Sequence, residues 1–204
     1  MEPRYIVLEG IDGAGKSTLA AALTAALCLQ CDVVSVVFPS STSPVGQLIR
    51  DVLEGRRSVS AAAMMWLFVA DGVDVEPYIT KQLSQGVTVV CDRHPRISGL
   101  VYQIDHYCET QVRQVTGPAK FRVPDRLYLI DISVAEALRR REKRAREGKP
   151  ADKLYETQDI ERLRALRERY LRVVEPYRNT RILNGEQPVG ESVRIILQDL
   201  EGLK

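Results

Sequence analysis

Eight consecutive residues, Gly10-Ile11-Asp12-Gly13-Ala14-Gly15-Lys16-Ser17, fit the pattern G-x-x-x-x-G-K-[ST] without a gap. Each residue type has a task there. Glycines let successive backbone N–H groups turn inward around an anion, and a helix starting at the end of the loop adds positive potential. A lysine at position 16 reaches the β- and γ-phosphates of a nucleotide, and the Ser17 hydroxyl is a hard oxygen ligand for Mg²⁺. The pattern carries this meaning between a strand and a helix. Residues 5–8 are apolar and residues 18–27 are rich in Ala and Leu, so both flanks are right. Gly10, Asp12, Gly13, Ala14, Gly15, Lys16, Ser17 and Thr18 are therefore expected to bind ATP, and the chemistry implied is phosphoryl transfer.

Such transfer needs a second acidic group and further cations. Residues 87–91 read as an apolar strand that runs into Asp92 and Arg93. Asp92 is expected to join Ser17 in holding Mg²⁺, and Arg93 can grip a phosphate through two parallel N–H donors. Negative charge spreads over the transferred group, and arginines stabilise it. Loop position Gly13 brings no charge, so that arginine must come from elsewhere. Residues 139–149 hold seven basic and two acidic residues. Arg140 and Arg144 are i,i+4 neighbours and Arg146 lies near the helix end. These three are expected to act with Lys16 and Arg93, and spacing does not choose among them.

The elements that must position these groups alternate. Strands are expected at residues 5–8, 33–38, 87–91, 127–130 and 181–183, each a nearly continuous apolar run suited to burial on both faces. Helices are expected between them: 15–27; one opening at Ser43-Pro44; 60–85 with a bend near Pro77; one after His94-Pro95; 134–146 ending at Gly148; one from about Thr157; and 189–200. Alternation of this kind is the pattern of a parallel sheet covered by crossover helices, an α/β fold.

Composition limits the rest. The chain has 204 residues, 45% hydrophobic and 27% charged, which suits one globular domain over 1–204. A net charge of +2 gives no general argument for nucleic acid or membrane surfaces, and none is expected as a partner. No apolar run reaches the roughly 18 residues of a membrane span. The first residues, MEPRYIVLEG, lack the basic start and small-residue cleavage site of a secretory signal, so a cytoplasmic compartment is expected. Cys28, Cys31, Cys91 and Cys108 do not make a disulfide framework, and Cys28-x-x-Cys31 has no second pair to complete a zinc site. His94 and His106 lack a partner at ligand spacing. Trp66 and the apolar residues 61–69 read as core or as a dimer surface, with core expected for most of them.

At this point the sequence resembles the thymidylate kinase family of P-loop nucleoside monophosphate kinases over most of its length. The phosphate loop with Glu9 and Thr18, Phe38-Pro39, Leu67-Phe68-Val69-Ala70, Asp92-Arg93-His94 followed by Ser98, Tyr102 and Gln103, and Asp152-Lys153-Leu154-Tyr155-Glu156 are similar to that family's motifs in the same order. The resemblance implies a three-layer fold with a five-stranded parallel sheet, a small basic lid at about 139–156, and a homodimer. It implies transfer of the ATP γ-phosphate to dTMP or a related deoxynucleoside monophosphate, with Mg²⁺, for deoxynucleotide synthesis. Asp12 would lie near the acceptor sugar and take part in catalysis. Phe38, Pro39, Phe68, Arg93, Ser98, Tyr102 and Gln103 would bind the acceptor, with Phe68 stacked on the base and Tyr102 crowding a 2′-hydroxyl.

Two positions depart from the family. The arginine of its Phe-Pro-x-Arg motif is Ser41 here, and the arginine four residues after the stacking Phe is Gly72. A short hydroxyl does not replace a bidentate guanidinium. Arg96, in a segment one residue longer than the family pattern, is expected to take over the monophosphate contact, with Arg50 as the second candidate. Gly72 is expected to leave room near the base and to relax base choice. Two rival functions differ in chemistry: a deoxynucleoside kinase using Glu9 or Asp12 as base, and a nucleotide-binding regulator without turnover. A GTPase is disfavoured, since no Asn-Lys-x-Asp motif occurs.

Overall fold

The structure is a computed structural model describing residues 2–103, 106–148 and 160–202. Five strands, β1 (Tyr5–Glu9), β2 (Val33–Val37), β3 (Thr88–Asp92), β4 (Arg126–Asp131) and β5 (Thr180–Asn184), form one parallel sheet in the order β2-β3-β1-β4-β5. Eight helices surround it among the described residues: α1 (Lys16–Leu27), α2 (Pro44–Leu53), α3 (Ala61–Ser84), α4 (Pro95–Tyr102), α5 (Glu109–Thr116), α6 (Val134–Arg146), α7 (Ile160–Val174) and α8 (Val189–Glu201).

Every strand and seven of the helices coincide with the expected elements to within a few residues. Helix α3 runs on through Pro77, and the start expected for α7 near Thr157 falls outside the described residues. Helix α5 has no counterpart among the expectations. Its sequence ETQVRQVT buries only Val112 and Thr116, too few apolar positions for a period to show.

The central strands β1 and β3 are buried at all five positions, as a sheet covered on both faces requires. Their register pairs Leu8 with Asp92, so the two strands end level. The chain leaves β1 toward β3 and β2 on one side and later returns to β4 and β5 on the other. Ligands in such sheets bind beyond the carboxyl ends at this reversal, and the phosphate loop leaves β1 there.

Candidate functional site

The loop is shaped for its task by left-handed backbone at Gly13 (φ 94°) and Gly15 (φ 93°), the latter the N-cap of α1. At Gly13 the reason is twofold: a Cβ there would also lie 2.7 Å from the Ala137 carbonyl oxygen of α6. The helix thus rests directly on the loop. Lys16 is buried, and its Nζ donates to the carbonyls of Gly10 and Ile11 at 3.0 Å each. Burial and the neighbouring Arg93 bring its pKa down to about 8.

Ser17 Oγ donates to Asp92 Oδ2 at 2.5 Å, while Asp92 Oδ1 is buried without a hydrogen-bond partner. A buried carboxylate oxygen left bare beside a hydroxyl suits a divalent cation, so this pair fits Mg²⁺. Arg93 follows in left-handed backbone (φ 80°), an unusual setting for a side-chain-bearing residue, with its N–H donating to the Leu8 carbonyl at 2.9 Å. Its guanidinium donates to the carboxylate of Asp12, to Tyr170 Oη at 2.8 Å and, more weakly, to Tyr102 Oη at 3.4 Å. The same charge lies 5.2 Å from the centre of the Tyr102 ring. Burial works to raise the Asp12 carboxyl, but Arg93, Lys16, the Tyr102 hydroxyl and Arg141 together hold it below its ordinary value. Asp12 is therefore a fixed anion that orients Arg93.

Two cavities meet here. A cleft of about 670 Å³ is lined by Asp12, Gly13, Gly15, Lys16, Ser17, Thr18 and Asp92 together with Arg50, Arg140, Arg141, Lys143 and Arg144. Beside it lies an apolar pocket whose walls include Phe68, Pro95, Ser98, Tyr102 and Gln103. Asp12, Phe38, Pro39, Leu53 and Arg93 line both. A basic trough thus opens into an apolar slot through one doorway guarded by Arg93. Gly10 and Ala14 lie behind the cleft surface, their carbonyls accepting from Lys16 and from Arg140.

The sequence of 8–196 matches the family profile described as thymidylate kinase. The chain belongs to the thymidylate kinase family. It is 32% identical to the thymidylate kinase of Chlamydia caviae over 95% of each chain, and 33% identical to a probable thymidylate kinase of Pyrococcus abyssi over the full length of both. Over about half of each chain it is 38% identical to human thymidylate kinase.

Against the family pattern, three expectations need correction. Arg96 lines neither cavity. It occupies the second position of α4, and its charge acts on His94 and Tyr177, away from the cleft. Arg50, by contrast, faces the cleft and donates to the carbonyls of Pro39 and Ser40, the loop that carries the family's arginine. Arg146 also lies outside the cleft, 82% exposed and 3.7 Å from Glu142; 100° per residue turns it away from the face shared by Arg140 and Arg144. Finally, Gly72 leaves no room. A Cβ there would lie 2.7 Å from the Phe121 ring and 2.8 Å from Pro95 Cβ, so Phe121 fills the space and the premise for relaxed base choice fails.

Other residues were missed altogether. Arg141 and Tyr170 contribute to the site from α6 and α7, and both continue an apolar helical stripe, where an arginine or a tyrosine hydroxyl is the anomaly to notice. Asp71, buried in α3, accepts from Ser40 N–H at 2.8 Å and Ser43 Oγ at 2.7 Å, which ties the acceptor loop to the pocket wall. Of the two places expected for Trp66, core and dimer surface, the core is not where it lies: it is 58% exposed. The Asp152–Glu156 motif expected to close the lid lies outside the described residues.

Proposed function

We propose that the chain transfers the γ-phosphoryl group of ATP to deoxythymidine monophosphate, giving dTDP and ADP. The observation that carries this reading is the shared doorway: a basic trough beginning at a phosphate loop joins an apolar slot at Arg93 and Asp12. A polyphosphate in the trough and a monophosphate entering from the slot would meet there nearly in line.

In this reading Lys16 and the loop amides hold the donor phosphates, and Ser17 and Asp92 hold Mg²⁺, which would screen charge between the β- and γ-phosphates. Arg93, fixed by Asp12 and Tyr170, receives the acceptor phosphate, and Arg50 takes the part of the arginine missing at Ser41. Phe68, Phe38 and Pro39 bind the base and sugar, with Ser98 and Gln103 on the same wall. Tyr102 stands beside the sugar and favours deoxyribose. No general base is needed, because the attacking oxygen belongs to an anion.

The nucleoside-kinase alternative is not favoured. Glu9 lines neither cavity, and its Oε1 accepts from His94 N–H at 2.8 Å and Ser98 Oγ at 3.0 Å. Asp12, held anionic by Arg93, is a weak base. Turnover without an acceptor, as in a regulator, would leave the slot unexplained. The reading extends to 1–204 acting as one kinase unit, paired with a second copy, in the cytoplasm. Among the described residues no helix is long and apolar enough to cross a membrane.

The test is a coupled ADP-release assay with Mg²⁺–ATP and a panel of dTMP, dUMP, dCMP, dAMP and thymidine. dTMP should give the highest kcat/KM and thymidine none; turnover of thymidine alone would overturn the reading. Arg50→Ala should raise the KM for dTMP at least about tenfold, the scale of a lost charge-assisted hydrogen bond, with the KM for ATP within about twofold.

A further inference from the structure

Helix α3 carries a carboxylate that neither the phosphate loop nor base stacking accounts for. Asp71 is 1% exposed and lies three residues after Phe68, so the two share a helix face, and both line the apolar slot. A carboxylate taken this far out of water needs donors around it. Oδ2 accepts from Ser40 N–H at 2.8 Å and Oδ1 from Ser43 Oγ at 2.7 Å. Burial, joined by Asp74, raises its pKa above the ordinary value, while these two hydrogen bonds and the charge of Arg50 act in favour of the anion.

Both donors belong to the stretch of chain that leads to Arg50. Ser43 is the N-cap of α2, and its Oγ accepts from Gly46 N–H at 2.9 Å. Gly46 and Arg50 are four residues apart on that helix and meet the same loop. A Cβ at Gly46 would overlap the Ser40 carbonyl oxygen and lie 2.8 Å from Asp71 Oδ1, so the helix is seated against loop and carboxylate together. One turn further on, Arg50 donates through Nε to the Ser40 carbonyl at 3.2 Å and through Nη2 to the Pro39 carbonyl.

The contact with Pro39 completes a relay. The Pro39 carbonyl and the Ser40 N–H are the two ends of one peptide group, which is planar and rigid. Asp71 holds the N–H end and Arg50 takes the C=O end. An anion at the donor end polarises the peptide and makes its oxygen a better acceptor for the guanidinium at the other. If the plane turns, the Arg50 fork must turn with it. Ser41, which stands where the family has its arginine, is exposed on the same loop and carries no charge. The direction of a cation facing the acceptor phosphate is thus set by main chain, and that main chain is set by Asp71.

We propose that Asp71 is a positioning residue for the acceptor phosphate: acting through the Pro39–Ser40 peptide, it fixes the direction in which Arg50 enters the cleft. The helix that receives the base thereby also sets the group that receives the phosphate. This rests on the kinase reading above, in which Arg50, with two of its five N–H donors committed to the loop, meets the acceptor monophosphate. The influence of Asp71 should be felt only by ligands that carry the phosphate.

The experiment measures dTMP and thymidine binding by calorimetry on the full chain, with Asp71→Ala, Asp71→Asn, Arg50→Ala and the double variant Asp71→Asn/Arg50→Ala. Thymidine occupies the slot without a phosphate, so the ratio of the two affinities isolates the phosphate contact. That ratio should fall about tenfold in Asp71→Ala and in Arg50→Ala, the scale of a charge-assisted hydrogen bond. Asp71→Asn, which keeps an acceptor for Ser40 N–H without the charge, should lose only about threefold, and adding it to Arg50→Ala should change the ratio less than about 1.5-fold further. In steady-state transfer the KM for dTMP should follow the ratio, with the KM for ATP within about twofold. Three results overturn the proposal: a ratio unchanged in the Asp71 variants while Arg50→Ala lowers it, dTMP and thymidine weakened equally, which marks a merely structural role, or independent losses that multiply in the double variant. If Asp71→Ala does not fold, Asp71→Asn and the double variant decide by the same criteria. If Arg50→Ala itself leaves the ratio unchanged, the reading of Arg50 fails and the proposal falls with it.

Discussion

At the scale of single residues, Lys16 and Arg93 show how the site stores charge before any substrate arrives. Lys16 has no carboxylate within close hydrogen-bonding range, Asp12 being 3.9 Å away, and so leans on the carbonyls of its own loop. With its pKa brought down to about 8 by burial and Arg93, it is half-deprotonated near that pH in the empty protein. Bound phosphates favour the charged form and restore the proton. ADP binding at pH 8 to 8.5 should therefore take up a fraction of a proton, read as a dependence of calorimetric enthalpy on buffer ionisation heat. Lys16→Met should remove that uptake and lower kcat by at least about 100-fold. Arg93 meets the opposite need. A buried guanidinium is tolerable only with anions and hydrogen bonds around it, and Asp12, Tyr170 and Glu9, the last at 3.8 Å, surround it.

At the scale of elements, helix α4 ties acid stability to the site. His94 is its N-cap: Nδ1 accepts from Arg96 N–H at 3.3 Å, and Nε2 donates to the Arg122 carbonyl at 2.9 Å, an arrangement only the neutral ring can make. Burial lowers its pKa to about 4 from the ordinary 6.5. A group whose pKa is depressed by folding contributes stability above the unfolded value, lost as pH falls through the folded one. The protein should thus lose stability between pH 6.5 and 4, by roughly 3 kcal/mol in total from this residue. Urea midpoints across that range should reveal it, and His94→Asn, which keeps a capping acceptor without a titrating ring, should flatten the curve. Helix α3 yields a second expectation. Because Phe121 and Pro95 crowd Gly72, Gly72→Arg should lower stability by about 1–3 kcal/mol and bring no gain in kcat/KM for dTMP, as thermal unfolding and kinetics would register. Gly72→Arg combined with Phe121→Ala should recover much of the lost stability.

At the scale of the whole molecule, α3 leaves large apolar side chains exposed along one face. Trp66 and Val73, 58% and 48% exposed, lie two turns apart on the helix, with Ala62 and Ala70 exposed on the same side. Helices of soluble proteins seldom leave a tryptophan on such a stripe uncovered, and a second copy is the occupant expected from the family. If a second copy sits on this face, as proposed above, the unsubstituted protein should scatter light as a dimer and Trp66→Glu as a monomer. Since α3 also carries Phe68 and Asp71, the acceptor KM should rise in step.

What was legible in the sequence was local. The phosphate loop, the strand leading to it and the Asp92-Arg93 pair were readable because their function is written in contiguous residues, and because strands buried on both faces are plain apolar runs. The sheet followed from the alternation of those runs with helical patterns. Choices among long cationic side chains were not legible. Arg50 and Arg96, or Arg141 and Arg146, differ in which face of a helix they occupy and in what that face packs against, and these depend on residues dozens of positions away. Phe121 closing the gap at Gly72 is of the same kind: 49 positions separate the two, and only packing brings the ring against the glycine. Chain-local geometry thus determined that this protein carries a loop suited to a polyphosphate, while tertiary packing decided which guanidinium groups line the cleft beside it, because charge acts through space and not along the sequence.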